Sequence, residues 1–255
     1  MRVSVITPSY NQARFIERTI LSVLNQDHPD IEYIVMDGGS TDGTVDILRK
    51  YSDRATWESR KDRGQSDGIN KGLRIASGEI VAYLNADDTY EPGAISRVVE
   101  FFRRHPEKKW VYGTCRIIDE ADREIRKPIT FYKNLVSRNY SYRKLLAENF
   151  IPQPATFWRK ELLAEVGYFE EGENWCMDYD YWLRIGRKYG AGVIRENLAR
   201  FRYSPQSKSG SAFVRQLNDQ QRLARQYGKA YPLTLLAGRA NYYRTIWVYN
   251  LLARS

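Results

Sequence analysis

Cysteine and histidine are the scarce residues of this chain, with two of each among 255. Two cysteines, Cys115 and Cys176, do not make the framework of a disulfide-stapled domain, and no cysteine–histidine spacing suggests a zinc site. A reducing cytosol is the simplest compartment for that composition. With only His28 and His105 available, both in polar connections, a proton-transferring base is expected to be a carboxylate. Long apolar runs are missing too: none approaches the ~20 residues a spanning helix needs. The N-terminus enters a strand almost at once, so no signal peptide is expected. The turn after that strand, Thr7-Pro8-Ser9-Tyr10-Asn11, has neither glycine nor lysine. That speaks against the glycine- and base-rich phosphate loop of a nucleotidyltransferase, an alternative enzyme class for an α/β chain with metal acids.

What is present is a set of polar strand ends. The apolar run Ile80-Val81-Ala82-Tyr83-Leu84 leads into Asn85-Ala86-Asp87-Asp88, the pattern of a buried parallel strand opening into a cleft. Adjacent carboxylates repel one another and are tolerable when a divalent cation neutralises them. Hard oxygen ligands suit Mg²⁺ or Mn²⁺, whose remaining positions are usually filled by water and phosphate oxygens. The implied ligand is a nucleotide diphosphate. The plainer alternative is that Asp87 and Asp88 cap a helix starting near Pro92.

Two more strand ends point the same way. Ile31 to Met36 runs into Asp37-Gly38-Gly39-Ser40-Thr41-Asp42-Gly43, and Val3 to Ile6 stops at Thr7 to Asn11 before a helix with apolar residues at 16, 20, 23 and 24. Open α/β sheets bind ligands at the carboxyl ends of their strands, so all three clusters are expected to face one crevice. Thr7 to Asn11 can hold a base or ribose that donates to Asp37, although Asn11 suits a helix cap equally well.

In their order along the chain, Thr7-Pro8-Ser9-Tyr10-Asn11, Asp37-Gly38-Gly39-Ser40-Thr41-Asp42-Gly43-Thr44, Asp67-Gly68-Ile69-Asn70-Lys71-Gly72 and Leu84-Asn85-Ala86-Asp87-Asp88 resemble the motifs of glycosyltransferase family 2. Gln153-Pro154-Ala155-Thr156-Phe157 and Asp178-Tyr179-Asp180-Tyr181-Trp182 resemble its acceptor-side segments. The resemblance covers residues 1 to about 210. It implies a GT-A fold, an α/β architecture with a mostly parallel central sheet and flanking helices, here followed by a C-terminal helical extension. It divides residues 1–210 into a nucleotide-sugar half (1–114) and an acceptor half (115–210), with 211–255 as the extension. It also implies a nucleotide-sugar donor (a UDP-sugar by default), a Mn²⁺ or Mg²⁺ cofactor, inversion at the anomeric carbon, and a glycan or lipid-linked acceptor of the kind used in surface polysaccharide synthesis.

Carried over residue by residue, the resemblance makes Thr7, Pro8, Ser9, Tyr10, Asn11 and Asp37 donor contacts, with Asp67 and Lys71 beside the nucleotide. Asp87 matches the second acid of the D-x-D metal motif. The first is Asn85, which shifts its role and that of Ala86 toward donor binding and leaves Asp88 to share the metal. Gln153, Pro154 and Trp182 fall on the acceptor side. Asp178 and Asp180 compete for the role of base: Asp178 stands first, with Asp180 as cap or positioning group. The segment from Phe201 to Gly210 is polar, basic and rich in turn formers, so Arg202 and Lys208 are the candidates to meet the diphosphate charge.

The net charge of +9 suggests an anionic partner, either a negative leaflet or a pyrophosphate-linked acceptor. Nucleic acid is disfavoured, because Asp37, Asp42, Asp87 and Asp88 would repel its backbone. From Tyr231 onward, leucines and aromatics recur beside Arg239, Arg244 and Arg254. That pattern fits packing against the domain, a homodimer contact or a peripheral membrane contact.

Overall fold

The computed structural model describes residues 1–173, 175–204 and 213–252. Eight strands form one sheet in the order β3-β2-β1-β4-β7-β6-β8-β5. The strands are β1 (Val3–Ser9), β2 (Ile31–Asp37), β3 (Thr56–Ser59), β4 (Ile80–Tyr83), β5 (Thr89–Tyr90), β6 (Trp110–Ile118), β7 (Thr156–Arg159) and β8 (Gly192–Arg202). β1 pairs in parallel with β2 and β4, and β2 with β3, giving the parallel half that the sequence predicts. Beyond it the sheet is mixed: β7 runs antiparallel to β4 and β6, whereas β8 runs parallel to β6. A tight turn follows β6 at Asp119–Asp122, closed by an Asp122 N–H to Asp119 carbonyl bond of 3.2 Å.

Alternation along the inner strands feeds two cores. Val3 and Val5, Tyr33 and Val35, and Ile80, Ala82 and Leu84 meet α1 (Ile16–Leu24), α2 (Thr44–Arg49) and α4 (Ala94–Arg104) on one face. Ile6, Ile34 and Met36, with Val81 and Tyr83, meet α3 (Gln65–Ile75), α6 (Tyr142–Ala147), α7 (Leu162–Val166) and α8 (Met177–Gly186) on the other. Helices on both faces explain why every residue of β1 is buried, the polar Ser4 and Thr7 included. At Gly72 of α3 an added Cβ would lie 2.5 Å from Ile6 Cγ2, so glycine lets the helix approach β1.

Two further helices, α9 (Phe213–Tyr227) and α10 (Pro232–Leu252), follow β8, and α5 (Lys127–Ser137) lies between β6 and α6. α10 packs along α6, where a Cβ on Gly238 would be 3.2 Å from Ala147 Cα. Gln221 of α9 donates to the Gly238 carbonyl at 3.1 Å, and the Tyr242 hydroxyl to Asn218 at 2.7 Å. One face of the tail therefore packs within the chain. No described helix is long and apolar enough to cross a membrane.

Trp182 is corrected from acceptor contact to core. It is fully buried, stacked on Trp110 at 5.7 Å and edge-on to Trp158 at 5.7 Å. Trp182→Ala is expected to cost about 3–5 kcal/mol of folding stability by emptying this cluster. Urea unfolding checks it, and a shifted acceptor KM at unchanged stability would contradict the placement.

Candidate active site

A cleft of about 1820 Å³ opens at the carboxyl ends of β1, β2 and β4. One wall carries Pro8, Ser9 and Tyr10 from β1, Gly38 and Gly39 from the loop after β2, and Asn85, Ala86 and Asp87 from the loop after β4. The lining also includes Lys133 of α5, Glu148, Gln153, Pro154 and the first turn of α8 with Asp178. The three strand ends thus meet in one crevice, as their sequence pattern predicts.

Asn11, Asp87, Asp88 and Asp180 do not cap helices, whereas the Asp178 carboxylate meets backbone N–H groups in the first turn of α8. α4 starts at Ala94 behind a left-handed Gly93, α8 behind Cys176 and α1 behind Phe15, none with a side-chain cap bond. Asn11 instead stitches two loops together. Its N–H donates to Ser40 Oγ at 2.7 Å, and its Oδ1 accepts from the Thr41 N–H at 2.9 Å.

The loop after β4 is held by its own polar groups. Thr19 Oγ1 of α1 meets the carbonyls of Ala86 and Asp88 at 2.9 and 2.8 Å. The Asn85 side chain accepts from Gln65 at 2.7 Å and donates to Gln153 Oε1 at 3.1 Å and Asp88 Oδ2 at 3.3 Å. Gln153 in turn donates to the Tyr83 carbonyl at 2.8 Å. Asp88 is fully buried and accepts the Arg202 backbone N–H at 2.8 Å. Burial pushes its carboxyl well above the usual range, the neighbouring Asp87 adds to that, and Arg202 opposes it. The shared metal role expected of Asp88 is therefore not supported: its carboxylate is turned inward, and Asp87 is the acid of this loop that faces the cleft. Burial raises the Asp87 carboxyl as well, against the pull of Arg202.

Arg202 is a second correction. Only 1 % exposed, it directs its guanidinium to the carbonyl oxygens of Asp87 at 2.8 Å and Asp119 at 2.6 Å and to Asp122 Oδ1 at 2.5 Å, with the Phe15 ring 5.0 Å away. All three of its nitrogens are engaged, so it braces the cleft floor and is not a mobile diphosphate ligand. Lys208 lies outside the described residues.

Several donor-side residues act beneath the surface rather than on it. The Asp37 carboxylate accepts from the N–H groups of Gly39 and Ser40 at 3.1 and 2.8 Å and from the hydroxyls of Ser40 and Ser59 at 2.5 and 2.7 Å. It shapes its own loop. Thr7 is buried and accepts from the Tyr33 hydroxyl at 3.1 Å. Asp67, although burial alone would raise its carboxyl, is held well below the usual range by Arg63 and by Lys71 at 3.1 Å. Asp67 and Lys71 support the segment that presents Lys61, Asp62, Gly64 and Gln65 to the cleft. Those last residues carried no motif and were missed. Gly38 is the one trace of Asp62, since a Cβ there would lie 2.9 Å from the Asp62 carboxylate.

On the acceptor side the two candidate bases separate. Asp180 is buried, bridged to Arg184 Nε at 2.9 Å and accepting from the Tyr227 hydroxyl at 2.7 Å; it ties α8 to α9. Asp178 is partly exposed and lines the cleft. Burial raises its carboxyl, while backbone N–H groups at the start of α8 and Lys133 pull it back. Lys133, also missed, lies in the same cleft, where enclosure lowers its proton affinity against the charges of Cys115, Glu148 and Asp178.

No group of three or more potential metal ligands exists among the described residues. A Mg²⁺ or Mn²⁺ site made of one carboxylate, diphosphate oxygens and water needs no such group. Asp87 fits that donor set.

A cleft at the strand ends of a part-parallel sheet, lined by both Asp87 and Asp178, agrees with the GT-A fold that the sequence resemblance implies. The profile of Glycosyl transferase family 2 matches residues 4–167, and the chain belongs to that family. It is 35% identical over 173 residues to an uncharacterized glycosyltransferase of Nostoc sp., covering 65% of this chain and 53% of that protein. It is 31% identical over 191 residues to chondroitin synthase of Escherichia coli, covering 72% of this chain and 26% of that protein. The chain thus spans about half the length of the first relative and a quarter of the second. Among solved structures, the mannosyltransferase PcManGT of Pyrobaculum calidifontis, in complex with GDP-Man and Mn²⁺, superposes with a TM-score of 0.69 at 21% identity, covering 100% of this chain and 81% of that one. S. aureus TarS 1–349 in complex with UDP-GlcNAc gives 0.67 at 19%, covering 88% and 66%. These likenesses establish the fold.

Arg202→Met leaves the Asp87 carbonyl without its donor and removes one of two partners from the Asp119 carbonyl and from Asp122, which keeps Arg18 at 3.0 Å, so it is expected to destabilise the protein by about 1–3 kcal/mol. Arg202→Lys should recover little, because one ammonium cannot reach all three acceptors. Chemical unfolding of both variants checks this, and wild-type stability in either would contradict the bracing role.

Proposed function

We propose that this chain is a metal-dependent, inverting glycosyltransferase that moves a hexosyl or N-acetylhexosaminyl group from a nucleotide-diphosphate donor, a UDP-sugar by default, to a hydroxyl of a glycan or lipid-linked acceptor. Surface polysaccharide synthesis on the cytoplasmic side of a membrane is the setting that suits such an acceptor. The observation that carries the reading is that Asp87, at the end of β4, and Asp178, in the first turn of α8, both line one cleft. Solved relatives of the same fold bind UDP-GlcNAc or GDP-Man, which supports a nucleotide-sugar as donor.

Pro8, Ser9 and Tyr10, backed by the Asp37 loop, hold the nucleoside against β1. Asp87 faces the diphosphate, where a bound divalent cation supplies Lewis-acid stabilisation of the leaving group. Asp178 accepts the proton of the acceptor hydroxyl as that oxygen attacks the anomeric carbon and the bond to the diphosphate breaks. Lys133 restrains the Asp178 carboxylate and shares its wall. Gln153, tied to both Asn85 and the Tyr83 carbonyl, fixes the distance between donor and acceptor walls.

A screen of nucleotide-sugars for cation-dependent release of nucleoside diphosphate tests the reading and separates it from a noncatalytic sugar-binding role. Asp178→Asn should lower kcat by about 10²–10⁴ with donor affinity nearly intact. Asp180→Asn should act mainly on stability. If Asp180→Asn abolishes turnover in a folded protein while Asp178→Asn is nearly normal, the roles are reversed. Asp87→Asn should depress turnover steeply, with added Mn²⁺ restoring only part; full activity of this variant in chelator would exclude the metal assignment.

The base works only when ionised, so kcat should rise with pH through the Asp178 ionisation. Because burial raises that carboxyl, the acid limb should lie above the usual carboxylate range. Stopped assays across pH check it, and a limb within the ordinary carboxylate range would contradict the assignment.

A further inference from the structure

α10 is apolar on two sides, and only one of them is covered. Its inner side meets α6, α9 and the cleft through Gly238, Asn241, Tyr242 and Thr245. Its outer side exposes Leu233 (81%), Leu236 (65%), Tyr243 (57%) and Trp247 (64%), positions that fall on one stripe of an α-helix. The neighbouring α5 exposes Phe131 (70%) and Leu135 (50%). The two helices are joined where the Arg244 guanidinium lies over the Tyr132 ring at 5.2 Å. Seven of the eleven exposed large apolar side chains among the described residues lie on these two helices. Scatter over an ordinary surface would not concentrate them so.

Charge selects the occupant. The chain has 31 acidic residues, yet α5 (KPITFYKNLVS) and α10 (PLTLLAGRANYYRTIWVYNLL) contain none. Their charges are Lys127, Lys133, Arg239 and Arg244. Arg244 has Glu148 at 3.8 Å, so of the two arginines Arg239 is the one whose charge is left open among the described residues, and a second copy docked face to face would set Arg239 against a face whose two helices carry no carboxylate. A surface of phosphate groups over hydrocarbon answers both features, since Trp, Tyr and Arg suit the water–lipid boundary and leucines reach below it. We propose that the outer face of α10, with the exposed edge of α5, docks on an anionic lipid membrane. Both helices also wall the acceptor end of the cleft, through Ile129 and Lys133 of α5 and Asn241, Tyr242 and Thr245 of α10, so the docked bilayer lies beside its mouth. Delivery of a lipid-linked acceptor is a consequence that rests on the proposed glycosyl transfer; membrane docking itself does not.

The test is cosedimentation of the intact protein with vesicles of phosphatidylcholine alone or mixed equally with phosphatidylglycerol, at about 0.02 M and about 0.5 M salt, because surface attraction is screened within a few ångströms at the higher value. Binding is expected to the mixed vesicles at low salt, at least tenfold weaker at high salt, and absent on phosphatidylcholine. Arg239→Glu and the pair Leu236→Ser, Trp247→Ser should each lower partitioning roughly tenfold, with melting temperature unchanged because the altered side chains are exposed. Should the serine pair melt lower, Arg239→Glu alone decides. No binding to the mixed vesicles, or binding that Arg239→Glu leaves intact, overturns the proposal. A concentration-dependent dimer in sedimentation that Trp247→Ser dissolves would assign the face to a second copy and overturn it equally.

Discussion

A single buried guanidinium holds the cleft floor in shape. Arg202, the last residue of β8, is bound through its backbone N–H to Asp88 and through its side chain to Asp87, Asp119 and Asp122. Two segments far apart in sequence, 87–88 and 119–122, therefore converge on one residue of β8. With Thr19 holding the carbonyls on either side, the carbonyls of Ala86, Asp87 and Asp88 are all engaged from within. The two adjacent acids are consequently sorted: Asp88 is pinned inward and Asp87 is left to the cleft. A buried charge without partners is costly, and one held by several acceptors gives the loop a single orientation.

The amide at position 85 follows from the same constraint. An acid there would bring a third carboxylate against Asp88 Oδ2, where Asn85 Nδ2 donates at 3.3 Å. An amide accepts from Gln65 and donates to Gln153 and Asp88 at once. The departure from the D-x-D pattern therefore exchanges a charge for hydrogen bonds to Gln65, Gln153 and Asp88; in the proposed reaction it leaves Asp87 as the acid of this loop for the cation.

Strand ends and helical spacing made the parallel half of the sheet legible in the sequence, along with the crevice at its edge. Periodicity reports which elements exist and where they stop. It does not report which way a side chain turns after a strand ends, and there the reading failed. Asp87 and Asp88 look alike in the sequence and differ in the fold, as do Asp178 and Asp180. Arg202 sits in a basic, turn-rich stretch that suggests an exposed lid, yet it occupies the last register position of a strand paired with β6. Trp182 belongs to a helix buried nearly all round, so its place next to an acceptor motif misled. Lys133 and Asp62 reach the cleft from segments without a motif, and only tertiary packing brings them there.

In the proposed reaction Asp178 takes the acceptor proton while the diphosphate is held at Asp87, and attack comes from the face of the sugar away from the leaving group. Once a donor has been found by turnover, proton NMR of the anomeric signal during the first few per cent of transfer tests this directly. The account predicts a product whose anomeric configuration is opposite to that of the donor sugar. A product that retains the donor's configuration would contradict it.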